Sequence, residues 1–160
     1  MPNHSSLAIA NEFLRRRADT AWPAQMHIQK LTYIAHGWNL AINGEPLVGE
    51  VPEAWDNGPV FRTIWDHIRD FGYRGTNCTL VNPVTKAEIR EPLTPAETAI
   101  VDHVWAKYGA RSAGELSKLT HEPGTPWSKA YFERGRNASL LNDDIKTHYV
   151  ELALAGRAAK

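Results

Sequence analysis

The segment from about Ala24 to Ile42 constrains this chain most, because it carries large side chains at helical spacing on two neighbouring faces. Ile28, Leu31, Ala35, Trp38 and Ile42 share one face, and Gln29, Tyr33, His36 and Leu40 share the next. A surface helix needs a single apolar stripe, so two faces of this kind predict a central helix covered by other elements. Asn43-Gly44 supplies a left-handed stop, and Pro46 prevents the helix from resuming.

The rest of the chain reads as cover for that helix. Ser5 or Ser6 caps a first helix with Ile9, Ala10, Phe13 and Leu14 on one stripe, ending near Asp19 and peripheral to the fold. Residues 47–55 shift to an extended pattern, and Asp56-Asn57-Gly58-Pro59 is a strong turn signal in which Pro59 is placed to open the next helix. That helix repeats Phe61, Ile64, Trp65, Ile68 and Phe71 and closes at Gly72. Short stretches within 79–90 are expected to act as partner strands for the extended arm. Thr94-Pro95-Ala96-Glu97 is a capping box with proline at the first helical position, predicting a helix to Tyr108. Ser112 and Thr125-Pro126 open two shorter helices, the second through about Glu133. Asn142 caps a last one over about 142–155, with Ile145, Tyr149 and Leu152 inward. The fold class is therefore mainly α: a compact single-domain helical bundle with a small β element in 47–55 and 79–90.

Composition bounds the function. A chain of 160 residues that is 42% hydrophobic suits one domain over 1–160, burying roughly two-thirds of its unfolded surface without a metal or disulfide. Eighteen Lys and Arg balance eighteen Asp and Glu, so nonspecific nucleic-acid binding, which needs an excess of cations, is disfavoured. Arg15-Arg16-Arg17 is the densest basic run and reads as a solvated helix face. The single Cys78 excludes an internal disulfide and a cysteine-rich zinc site. No stretch approaches a ~20-residue membrane span and the N-terminus lacks a signal-peptide core, so a cytoplasmic protein is expected.

Seven histidines raise the question of catalysis. They fall in separate segments with no HExxH and no paired ligand spacing, so no metal or other cofactor is expected. No nucleophile elbow, P-loop or dinucleotide fingerprint is present. Asp66-His67 and Asp102-His103 read as solvated positions. His121 is expected to bond nearby backbone or to pack on Trp127. Of the six tryptophans, Trp38, Trp65 and Trp105 fall on apolar stripes and read as core. Trp55 and Trp127 flank Pro and Gly turns, where core and recognition roles are equally open.

Three blocks carry a resemblance: Gln29-Lys30-Leu31-Thr32-Tyr33-Ile34-Ala35-His36-Gly37-Trp38, then Ala54-Trp55-Asp56-Asn57-Gly58-Pro59-Val60, then Leu116-Ser117-Lys118-Leu119-Thr120-His121-Glu122-Pro123 with Gly124-Thr125-Pro126-Trp127. Together, over about residues 7–132, they closely resemble the Panacea domain, also called the phage-associated GepA-like or SocA-like antitoxin family. The resemblance implies a mainly helical domain with a small β element. It also implies a toxin-antitoxin role: direct binding and neutralisation of a cognate toxin protein encoded beside it, without catalysis. A SocA-like subset is similar in acting as a proteolytic adaptor, handing its toxin to the ClpXP protease.

On this reading the toxin-binding surface lies near Gln29, Lys30, Tyr33, His36, Trp55, Asp56, Gly58, Pro59, Thr120, His121, Pro126 and Trp127, with the extended arm offering an edge for strand addition. The rival readings are a hydrolase centred on His121 with Asp56 or Glu122, and a DNA-binding autoregulator. The first requires those side chains in one deep pocket; the second requires a helix with several exposed cations on one face.

Overall fold

A computed structural model of the chain describes residues 4–17 and 21–158, and side chains up to 156. Among them the order is α1 (Ser6–Arg16), α2 (Gln25–Asn43), β1 (Glu53–Trp55), β2 (Gly58–Val60), α3 (Arg62–Phe71), a 3-10 turn (Thr76–Cys78), α4 (Pro95–Tyr108), α5 (Ala113–His121), α6 (Pro126–Arg134) and α7 (Asn142–Ala158). The fold is mainly α, with one two-stranded antiparallel sheet.

Helix α2 is the axle. Every residue from Ile28 to Leu40 is buried, and α1, α4, α5 and α7 pack around it. Such a helix has no solvated stripe on which to place its polar residues, so each must find a partner inside. Gly37 lets α7 approach most closely: a Cβ there would lie 2.2 Å from the Tyr149 ring. The apolar face expected to reach Ile42 stops short of it, because the helix end emerges from the core and leaves Ile42 58% exposed.

Local signals set the helix ends. Ser5 accepts from the Leu7 N–H, and Thr94 and Glu97 form the reciprocal capping box at α4. Ser112 and Thr125 cap α5 and α6 through the N–H groups of Glu115 and Ser128. Helix α1 is not peripheral, since Ile9, Phe13 and Leu14 are fully buried. It ends at Arg16, and Asp19 lies outside the described residues.

The β element differs from expectation in pairing. β1 pairs with β2 across the Asp56-Asn57 turn, in the register Glu53 to Val60 and Trp55 to Gly58, so Pro59 sits in a strand and α3 starts at Arg62. Segment 79–90 contributes an isolated bridge, Val81 to Glu88, and does not reach the arm. Asn11 explains why: its buried amide donates to the Leu80 and Ile89 carbonyls and accepts from the Leu80 N–H, binding that segment to α1. Two inward assignments also fail at element ends, where Phe71 and Leu152 are exposed, and Asn142, expected to cap α7, gives its side-chain oxygen to His36. His67, expected in solvent, is buried against Phe71.

Candidate functional site

The polar residues of α2 act on the hairpin and the loops that flank it. Gln29 donates to the Phe61 carbonyl at 3.2 Å and accepts from the Phe61 N–H at 2.9 Å, an amide standing in for a neighbouring strand. The Lys30 ammonium donates to the Pro59 carbonyl at 2.7 Å. It is fully buried, with no carboxylate paired to it among the described residues, and burial pushes its pKa down to about 7. His36 accepts from the Val48 N–H on Nδ1 and donates from Nε2 to Asn142 at 2.9 Å. Both bonds suit the neutral ring, and burial holds its pKa at about 4. Tyr33 is buried beside the Tyr149 ring, and Asn39 donates to the Glu45 carbonyl.

These contacts leave the hairpin with no free edge. One side of β1 carries β2; on the other, Leu140 donates to the Pro52 carbonyl, Asn137 donates to the Ala54 carbonyl and the Ala54 N–H donates to Ala138. The outer edge of β2 is taken by Lys30 and continues to Gln29 at Phe61. Strand addition at the arm is therefore blocked by the chain's own side chains and backbone. Gly58 has φ +116°, and a Cβ there would meet Lys30 and Thr120 at 3.0–3.2 Å, so the turn closes only around glycine.

Helix α6 supports the hairpin from the opposite side. Trp127 is buried, and its indole N–H donates to the Trp55 carbonyl at 2.6 Å. Its ring stacks on Tyr131 at 4.6 Å and meets His121 edge-on at 5.2 Å. His121 in turn bonds the Ser117 carbonyl, the nearby backbone partner expected of it. The Tyr131 hydroxyl donates to Asp56 at 2.8 Å, and the Arg136 guanidinium caps the same carboxylate. These two partners, Tyr131 first, hold the Asp56 carboxyl below its ordinary pKa. Trp55 stands half-exposed, edge-on to Trp65 at 5.0 Å, with the Arg62 guanidinium 5.3 Å from its ring.

The outward surface of this unit is a cleft of about 230 Å³ whose walls include Met26, Trp55, Asp56, Trp65 and Arg136. Phe132 projects from α6 with 74% of its surface exposed, touching the Trp127 and Tyr131 rings, and lines a separate groove between α6 and α7. Of the twelve residues singled out in the sequence, Tyr33 packs instead on Tyr149 of α7, and the set occupies two layers. Gln29, Lys30, Tyr33, His36, Gly58, Pro59, Thr120, Pro126 and Trp127 are buried, whereas Trp55, Asp56 and His121 reach the surface to differing degrees. Tyr131 and Arg136 complete the outer layer, Phe132 extends the aromatic surface of α6 toward α7, and all three were missed. The available signal was the aromatic pair four and five residues after Trp127, which a helix turns back beside it.

His121, Asp56 and Glu122 do not share a cleft: Asp56 lines the hairpin cleft, while Glu122 lines a pocket near α7. No group of three or more His, Cys, Asp or Glu among the described residues is placed to hold a metal ion. Arg15 and Arg16 are tied to Glu12, Glu88 and Asp102, so the basic run is spent on intramolecular pairs. No helix among these residues is long and apolar enough to cross a membrane.

A helical bundle whose motif residues brace a short hairpin, with aromatic side chains on its outer side, defines a scaffold that presents a surface. Residues 28–128 match the family described as "Antitoxin SocA-like, Panacea domain". The chain is also 32% identical over 142 residues to Antitoxin SocA of Caulobacter vibrioides (strain NA1000 / CB15N), an alignment covering 83% of this chain and 73% of that protein. This chain belongs to the SocA-like Panacea family. No solved structure matches it.

Proposed function

We propose that this chain is an antitoxin that binds and neutralises a cognate protein toxin in the cytoplasm, by contact and without catalysis. Family membership supports the antitoxin role. What supports a contact at α6 is Phe132, a large aromatic left 74% exposed against the Trp127 and Tyr131 rings that hold the hairpin. Covering it with a partner contributes about 1.5–3 kcal/mol, and a rigid aromatic ringed by polar groups is the usual make-up of a binding hot spot. Lys129, Glu133 and Asp144 line the groove with Phe132, and Tyr131 joins it to Asp56 and Arg136 on the hairpin side. The buried motif residues act beneath them by fixing the hairpin, so their contribution to binding is pre-organisation.

The test is to express the neighbouring open reading frame with and without this chain, following growth and co-purification. Growth arrest that this chain relieves, with a stable complex, supports the reading; a harmless neighbour that binds nothing overturns it. Occlusion and delivery to ClpXP are both compatible with contact at this face. Toxin half-life in cells with and without ClpP separates them, because only delivery shortens it in a protease-dependent way.

A further inference from the structure

A second surface, made by α2, α4, α5 and α7, has the composition of a binding site. It is a pocket of about 260 Å³ floored by the rings of Trp38, Tyr108 and Tyr149, with Leu119 and Leu152 on its sides. Trp38 donates its indole N–H to the Tyr108 hydroxyl at 3.2 Å, which fixes both rings. Lys107 and Arg111 stand at the mouth. Among the described residues neither pairs with a carboxylate; the Lys107 ammonium lies 5.5 Å and 5.3 Å from the Trp38 and Tyr108 rings, and Arg111 lies 5.9 Å from Tyr108. Arg15, Arg16, Arg62, Arg69 and Arg136 each hold a carboxylate, and Arg17, Arg74 and Arg134 bond backbone carbonyls instead. His148 also lines the pocket, with burial lowering its pKa toward the neutral ring, and Glu122 is the one acidic residue in the lining.

We propose that this pocket is a second protein-binding site, which takes an aromatic or leucine side chain flanked by acidic residues on a partner polypeptide. The aromatic floor takes the side chain, and the two cations without carboxylate partners take the acidic flank. The volume admits one large side chain and falls below the roughly 300–1,000 Å³ of pockets that enclose whole cofactors. The site is distinct from the hairpin cleft, with which it shares no lining residue, and its test uses no toxin. The competing explanation is that Lys107 and Arg111 only complement the α4 dipole, which predicts an effect on stability and none on peptide binding.

The probe is the capped peptide acetyl-Gly-Glu-Phe-Glu-Gly-amide, titrated at millimolar concentration into the ¹⁵N-labelled full chain while the Trp38 indole resonance is followed. Counterparts carry Lys in place of Glu, or Ala in place of Phe. The expected result is a saturable shift with the Glu-Phe-Glu peptide and none with either counterpart. Binding should weaken by about tenfold in the Lys107→Gln, Arg111→Gln double variant, at an unchanged melting temperature. The neutral substitutions keep the helix intact. No saturable shift, an equal response to the acidic and basic peptides, or full binding by the folded double variant would each overturn the proposal.

Discussion

Single atoms decide much of this fold. Gly37 has no room for a methyl group, because the Tyr149 ring occupies the place where its Cβ would stand. Gly37→Ala should therefore lower stability by about 3 kcal/mol, the upper end for overpacking, measured by urea unfolding. His4 sits between Glu97 at 3.0 Å and Glu91 at 2.9 Å. Burial disfavours its charge, but the two carboxylates outweigh burial and its pKa is raised. A raised histidine pKa means the folded state holds the proton more tightly, so this contribution is present below about pH 6.5 and fades as pH rises through the folded value. His36 acts in the opposite sense: held at about 4, it favours the folded state above about pH 6.5, and that stability is lost as pH falls from there toward 4. The difference in melting temperature between wild type and His4→Gln should shrink as pH rises above neutrality. A difference that grows with pH would contradict the His4 assignment.

At the scale of elements, α2 was legible and its task was not. Its two large-residue faces predicted a central helix, and Ile28 to Leu40 are all buried. What periodicity could not reveal is that Gln29, Lys30 and His36 point into the protein to satisfy backbone groups of segments far along the chain, since helical spacing carries no information about such partners. The hairpin was half-legible for the same reason. The turn at Asp56-Asn57-Gly58 is local chemistry, whereas the choice of 58–60 over 79–90 as strand partner depends on Asn11, Gln29 and Lys30. Gln29→Leu should leave the Phe61 N–H buried without its partner, while the carbonyl keeps the Ile64 and Trp65 N–H groups, costing about 1–3 kcal/mol. Hydrogen exchange checks this directly, and the Phe61 amide should lose protection before the α2 core does.

For the whole molecule, the sequence separated scaffold from surface only in part. Trp127, left open between core and recognition, is buried and holds the hairpin through its indole N–H. Trp127→Ala should cost about 3–5 kcal/mol, as truncating a buried aromatic does, and any loss of toxin binding would follow from that. Phe132 is the reverse case, exposed and attached only along its edge, so Phe132→Asp should change stability by no more than about 0.5 kcal/mol. Calorimetric titration of the purified neighbouring toxin against wild type, Phe132→Asp and Val84→Asp, an exposed control on the 79–90 loop, tests the central claim most directly. Phe132→Asp should weaken binding about 30-fold, the roughly 2 kcal/mol of a hot spot, while Val84→Asp should bind like wild type. A folded Phe132→Asp variant that binds the toxin with unchanged affinity would contradict it.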